Sequence, residues 1–342
     1  MAYGRNNMES LADDAFVDFC YQTILGRTAD AEGKAVYIDG LKRRRLTREE
    51  ILLKFLTSPE YESRKRSHEF VHAGHFYSAV PSIEDRDAFV ADGTSIVDTL
   101  PGISINQTKQ LSLMTEFKHY YNECRFPEQK TAESRFYFSN PAYGHTDALT
   151  LYGMMRHFKP NKVIEVGSGF SSCAMLDTND QFFNSEIEFT FIEPYPELLN
   201  SLLSDKDNHR VIGENVQKVD LELFSQLQKN DILFIDSTHV SKLNSDVNRI
   251  IFEILPALQD GVLIHFHDIF WPFEYPKNWV KEGRAWNEAY LLRAFLEYNT
   301  DFEILFFGHY MHLFYGDWIA NNMPQYLNNL GGNIWLRKIA SK

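Results

Sequence analysis

A chain of 342 residues is longer than one hydrophobic core usually organises, since single cores stop growing near ~250–300 residues, so a catalytic-size domain plus a smaller one is expected. With 44% hydrophobic and 24% charged residues the chain can bury a sizeable core, which excludes wholesale disorder and fibrous or repeat architectures. A formal net charge of -13 excludes a general nucleic-acid binder, whose surface must present cations to phosphates. Cys20, Cys124 and Cys173 are odd in number and too far apart for a metal or redox pair, so they read as core residues of a reducing compartment. The N-terminal Met1-Ala-Tyr-Gly-Arg-Asn-Asn lacks the apolar stretch of a signal peptide, and no run reaches the ~20 apolar residues of a membrane span, so a cytoplasmic location is expected.

Residues 10 to about 68 carry short amphipathic patterns. Phe16, Phe19, Cys20 and Thr23 fall at helical spacing within Asp14 to Leu25, with Gly26 as the stop. A second helix is predicted from Asp30 to Leu41. Thr47-Arg48-Glu49-Glu50 has the form of a capping box in front of Ile51 to Leu56, and Ser58-Pro59 begins another short helix. The string Phe16-Val17 to Ile24-Leu25-Gly26-Arg27 and Asp30, followed by Phe55-Leu56 and Ser58-Pro59-Glu60-Tyr61, resembles a small bacterial helical domain of unassigned function that is similar to the helical domain of phycobilisome linkers. The resemblance implies a docking or assembly module over residues 1–70, without catalytic residues. Two basic clusters, Lys42-Arg43-Arg44-Arg45 and Arg64-Lys65-Arg66, read either as a solvated face or as a contact for a protein or an anionic membrane surface.

From 71 to 135 turn signals at Pro81-Ser82, Asp92-Gly93 and Pro101-Gly102 and one helix from Gln107 to Glu123 suggest a connector or a lid. From 136 onward strands alternate with helices. Strands are predicted at Lys162–Gly167, Glu188–Glu193, Arg210–Gly213, Asp231–Asp236 and Gly261–His267, and helices at Thr146–Phe158, Pro196–Leu203, Lys242–Leu255 and Ala285–Tyr298. Continuous apolar runs such as Ile232-Leu233-Phe234-Ile235 suit parallel strands covered on both faces. Phe302–Phe307 and Asn333–Lys338 would close the sheet as a terminal antiparallel hairpin. The fold class is therefore α/β: a doubly wound, mostly parallel seven-stranded sheet with a small N-terminal all-α domain, the order of the class I methyltransferases.

Gly167-Ser168-Gly169 lies between a strand and a helix, where missing side chains allow a tight turn and close approach of a ligand to backbone amides. A dinucleotide enzyme wants a third glycine where Ser172 stands. Glu165 suits a cofactor bearing a cationic amino-acid group and would repel a pyrophosphate. Glu193 closes the second strand, where a carboxylate can accept from both ribose hydroxyls. Glu165, Gly167, Ser168, Gly169, Ser171 and Glu193 together resemble the S-adenosylmethionine site of class I methyltransferases. That resemblance implies S-adenosyl-L-methionine as cofactor, and places Gln217 at the adenine and Asp236 at the cofactor's reactive end.

The fourth strand runs out through Asp236-Ser237-Thr238-His239 and the fifth through His265-Phe266-His267-Asp268. Asp-x-x-His with a polar pair after the next strand resembles the metal-dependent sugar O-methyltransferases of the macrocin and mycinamicin type. The resemblance implies Asp236, His267 and Asp268 as ligands of a divalent cation, magnesium or manganese, and His239 as general base. That family carries a carboxylate where His267 stands, which weakens magnesium and leaves room for an imidazole-accepting metal or for none. His265, on the same face as His267, reads as structural. Aromatics from Phe270 to Tyr275, then Trp279 and Trp286-Asn287-Glu288, suit either stacking on sugar rings or a packed lid. The segment Asn140–Asp147 is expected to close the pocket from the other side.

The expected function is methylation of a hydroxyl on a sugar or surface-glycan precursor of polysaccharide biosynthesis, by an enzyme that could be a homo-oligomer. The rival readings are a small-molecule or protein acceptor, a nicotinamide-dependent oxidoreductase, and a non-catalytic assembly protein whose sheet is a relic. Glu165 and Ser172 speak against the oxidoreductase.

Overall fold

The computed structural model describes residues 11–67, 70–92, 96–203, 207 and 209–339. The chain divides into two compact units, 1–85 and 86–342. The expected turn residue Gly93 and the side chains of Arg64, Lys65 and Arg66 lie outside what is described.

In the first unit, helices α1 (Asp13–Thr23), α2 (Ala31–Lys42), α3 (Arg48–Leu56) and α4 (Pro59–Ser67) surround a core of Phe16, Val17, Cys20, Tyr21, Ile51 and Phe55. The Thr47 capping box forms as its sequence requires: the Thr47 hydroxyl accepts from the Glu50 amide and Glu50 accepts from the Thr47 amide, which satisfies two free donors of α3. Lys42, Arg43, Arg44 and Arg45 are exposed.

The second unit holds a seven-stranded sheet ordered β3-β2-β1-β4-β5-β7-β6. Its strands are β1 (Lys162–Val166), β2 (Glu188–Ile192), β3 (His209–Ile212), β4 (Ile232–Ile235), β5 (Leu263–His267), β6 (Phe302–Phe307) and β7 (Asn333–Lys338). The first five pair in parallel, and β7 runs antiparallel to both β5 and β6. All residues of β4 and β5 are buried, because helices cover both faces of a parallel sheet. The helices that bear on the site are α5 (Gln107–Tyr121), α6 (His145–Phe158), α7 (Phe170–Phe182) and α8 (Glu288–Leu296), with α9 (Gly308–Asn322) joining β6 to β7.

Three expectations change. The last two strands do pair antiparallel, but α9 lies between them in place of a hairpin turn. Its sequence, Gly308-His309-Tyr310-Met311-His312-Leu313-Phe314-Tyr315, has no polar stripe to mark a helix period, and it kinks at Tyr315. The helix expected from Lys242 begins only at Asp246, where the Ser245 hydroxyl accepts from the Asn248 amide as cap, and it includes a π-helical stretch, Ile250–Ile254. The helix of the expected connector belongs to the second unit: Phe117 of α5 packs on Phe306, and buried Gln110 accepts from the Phe307 amide at 2.7 Å. That burial fixes α5 as a wall of the sheet and removes it as a lid.

At the carboxyl ends of the strands, β1 and β4 meet closely. The Asp236 amide donates to the Val166 carbonyl at 2.8 Å and the Gly167 amide to the Ile192 carbonyl at 3.0 Å. Gly167 has φ +80, and a Cβ on it would stand 1.9 Å from the Asp236 carbonyl oxygen. The glycine is therefore dictated by a neighbouring strand, a different reason from the ligand approach expected of it. Gly167→Ala should lower unfolding stability by at least ~1–3 kcal/mol from backbone strain alone, with a further loss from the clash, read as a lower thermal midpoint.

Candidate active site

Beyond the ends of β1, β2 and β4 opens a cleft of about 420 Å³ lined by Gly167, Glu193, Tyr195, Asn215, Gln217 and Asp236, among others. Glu193 is fixed there by two amides, from Ser168 at 3.2 Å and Tyr195 at 2.8 Å. Gln217 lines the same cleft and donates to the Asn244 carbonyl at 2.9 Å. Open space stands over Gly213, and a Cβ on Gly169 would meet only Leu198 at 3.8 Å. An acidic wall at the end of β2, an amide loop after β1 and room over both glycines fit S-adenosylmethionine.

Of the expected cofactor residues, Glu165, Ser168, Gly169 and Ser171 are not among those lining the cleft. Glu165 is fully buried, outside the lining of the cleft, and its carboxylate accepts from the hydroxyls of Ser171, at 2.5 Å, and Ser172. The Ser172 hydroxyl in turn accepts from the Gly169 amide at 3.0 Å. Glu165 thus holds the turn and the first residues of α7 from beneath, and Ser171 is part of that anchor. Burial, set against the two serine hydrogen bonds, raises the Glu165 pKa from 4.5 to about 8.

The expected chemical residues converge. Asp236, His267 and Asp268 each offer a ligand atom, and these atoms lie within 4.8 Å of one another. His267 is 7% exposed, and neither ring nitrogen has a hydrogen-bond partner. Its Nδ1 stands 3.1 Å from Asp268 Oδ1 and 3.9 Å from Asp236 Oδ1. Asp147 of α6 reaches within 4.0 Å of its Nε2, and Tyr143 packs on its ring, so the segment 140–147 does border the site. A buried imidazole set between the carboxylates of Asp268 and Asp236 would suit a divalent cation that accepts nitrogen, such as manganese, better than magnesium. His265 stacks on Phe234 in the core, consistent with a structural role.

His239, with φ +60, is held on three sides. Its amide donates to Ser237 Oγ at 3.1 Å, and its carbonyl accepts from the Asn287 and Glu288 amides, both at 3.1 Å. Its Nδ1 meets Glu288 Oε2 at 2.8 Å, and its Nε2 lies 3.5 Å from both Asp236 Oδ1 and Asp268 Oδ2. Burial works against its charge, but Asp236 and Glu288 outweigh it and push the pKa to about 10. His267 is likewise raised to about 10, burial being outweighed by Asp268 and Asp236. The raised pKa of His239 thus comes from carboxylates that only the fold assembles.

Glu288, 1% exposed, was not foreseen in this role. The one available signal was an acid in the first turn of an apolar helix, which reads equally well as a partner of the helix dipole. The aromatic run divides: Phe270, Trp271, Phe273 and Tyr275 are buried packing, whereas Trp279 and Trp286 remain partly exposed. Trp286 lies 4.4 Å from the His239 ring and 5.3 Å from Trp279, with the Arg284 guanidinium over both indoles.

Residues 164–269 match a family described as a methyltransferase domain, and residues 3–65 match a domain of unknown function (DUF4214). With the strand order and the cleft, this match makes the chain an S-adenosylmethionine-dependent methyltransferase of class I. An uncharacterized protein of Archaeoglobus fulgidus is 33% identical over 165 residues, 46% of this chain and 74% of that protein, and the chain belongs to the same family as that protein. Solved structures similar in part include a Podospora anserina methyltransferase bound to S-adenosylhomocysteine, 13% identical, covering 75% of this chain and 95% of the other with TM-score 0.37. Another is a plantazolicin methyltransferase in complex with a triazolic substrate analogue and S-adenosylhomocysteine, 15% identical, covering 68% and 100% with TM-score 0.41.

A carboxyl group whose folded pKa lies above its unfolded value stabilises the fold below the unfolded value and loses that contribution as pH rises through the folded one. For Glu165 the window runs from 4.5 to about 8. Relative to the wild type, Glu165→Gln should gain thermal stability between about pH 5.5 and about pH 8.5; parallel melting curves for the two proteins over that range would show the assignment to be wrong.

Proposed function

We propose that the enzyme methylates a hydroxyl of a sugar or surface-glycan precursor, with His239 as general base and a divalent cation held by Asp236, His267 and Asp268. The observation that carries this reading is the single cluster in which the base candidate and the three ligand candidates meet, at the edge of the cofactor cleft that Asp236 also lines. Transfer from a sulfonium is an in-line displacement, so most of the work is holding the acceptor oxygen against the methyl carbon, an effect of up to ~7–11 kcal/mol in favourable cases. A sugar hydroxyl is a weak nucleophile at neutral pH, and proton removal by a positioned histidine is typically worth ~10²–10⁴-fold.

The residues divide the task. Glu193 takes the ribose end of the cofactor and Gln217 stands on the adenine side, while Glu165 and Ser171 keep the glycine turn in shape. Asp236, His267 and Asp268 would hold the cation, which would supply positive charge to acidify acceptor hydroxyls and offset the two carboxylates beside His239. In its neutral form, with the proton held on Nδ1 by Glu288, His239 takes the acceptor proton on Nε2. Trp286, partly open beside His239, and Trp279, which packs on it, offer a sugar ring the indole surface that Arg284 does not cover. The helical unit, with Lys42 to Arg45 exposed, serves in this reading as a docking module for an anionic partner.

S-adenosylhomocysteine release should be measured with nucleotide-activated hexoses, free oligosaccharides and a control peptide as acceptors, with and without manganese. Turnover on a sugar that chelation abolishes is expected, and turnover on the peptide alone would overturn the acceptor class. His239→Ala should keep cofactor affinity and lose ~10²–10⁴-fold in turnover, whereas near-normal turnover removes His239 as the base. Asp268→Asn should raise the manganese concentration needed for half-maximal rate.

A further inference from the structure

We infer that Glu288, at the start of α8, is the positioning residue that orients the His239 imidazole toward the reacting hydroxyl. The inference rests on the reading of His239 as base. Glu288 is buried, and both of its oxygens are engaged on the same loop: Oε2 meets His239 Nδ1 at 2.8 Å, and Oε1 accepts from the Ser237 hydroxyl at 2.8 Å. The Ser237 hydroxyl also accepts from the His239 amide at 3.1 Å, which closes a ring of carboxylate, hydroxyl, backbone and imidazole.

The neighbouring residue extends this clamp. The Asn287 side chain accepts from the Ser241 amide at 2.6 Å and donates to the Ser241 carbonyl at 3.2 Å, while the Asn287 and Glu288 amides both donate to the His239 carbonyl. The start of α8 therefore holds the loop 237–241 along its whole length, although the two segments are 49 residues apart at the His239–Glu288 contact. His239 has φ +60, a backbone region that a histidine adopts only when its surroundings impose it.

The chemical consequence lies in which nitrogen carries the proton. A carboxylate on Nδ1 keeps that nitrogen protonated, so Nε2, which faces Asp236 and Asp268 at 3.5 Å, is the nitrogen whose proton can be exchanged with an acceptor. The imidazole is further fixed from the side by Trp286, at 4.4 Å between ring centroids. Without Glu288 the ring could take the other tautomer or rotate, and the base would present a proton where it must present a lone pair. The buried glutamate does not touch the acceptor in this arrangement; it acts through the histidine, as the carboxylate of a hydrolase triad does.

The test has two arms on the full-length protein. Without any acceptor, proton NMR of the cofactor-product complex should show a low-field Nδ1–H resonance that vanishes in His239→Ala and moves upfield in Glu288→Gln and, less far, in Ser237→Ala. Its absence from the wild type overturns the inference. With nucleotide-activated hexoses as acceptor, Glu288→Gln should lower kcat by roughly 10–100-fold with KM and S-adenosylmethionine affinity unchanged, and Glu288→Asp should restore part of the rate. If His239→Ala abolishes turnover while Glu288→Gln retains it, the base stands and the positioning role fails. If His239→Ala itself turns over normally, the underlying reading has failed. A Glu288→Gln protein that changes KM and thermal midpoint but not kcat marks a purely structural contact.

Discussion

The organisation of this enzyme depends on one steric constraint, the passage of the Asp236 carbonyl beneath the turn that ends β1. Only a residue without a Cβ can occupy position 167, because any side-chain carbon would lie 1.9 Å from that oxygen. The resulting contact draws the ends of β1 and β4 together, and Asp236 emerges at the boundary between two regions. On one side it lines the cofactor cleft, and on the other it faces His267, Asp268 and His239. A methyl donor and a proton acceptor can share one reaction centre because this residue belongs to both.

Around that point the polar side chains separate into those that face ligands and those that hold other residues in place. Glu165 and Glu288 are both buried glutamates near the site, and neither faces open solvent. Glu165 braces the glycine turn through two serine hydroxyls, and Glu288 braces the His239 loop through Ser237 and the imidazole. Burying a carboxyl group is unfavourable unless its hydrogen bonds are made, and in both cases they are made to the segments that must be rigid. The aromatic residues follow a comparable division, with Phe270, Trp271, Phe273 and Tyr275 filling the core and Trp286 left partly open beside the base, against a partly open Trp279.

Much of the catalytic unit was legible in the chain. Apolar runs such as Ile232 to Ile235 and the alternation of strands with helices locate the parallel sheet, since burial on both faces leaves a continuous signal. The clustering of Asp236, His239, His267 and Asp268 also follows from sequence, because residues at the ends of adjacent parallel strands must meet at one edge. Less legible were α9, whose aromatic residues leave no polar stripe, and α5, whose place against Phe306 depends on contacts from far along the chain.

The sequence by itself determined the sheet, its switch point and the residue types gathered there, because periodicity and strand-end placement are local properties of the chain. Tertiary structure decided what those residues experience. It put Glu165 under the turn instead of in the cleft, gave Gly167 a neighbouring carbonyl to avoid, and brought Glu288 to His239. Hydrogen-bond partners, burial and electrostatic environment are set by segments distant in sequence, and they convert a shared set of acids and histidines into separate roles.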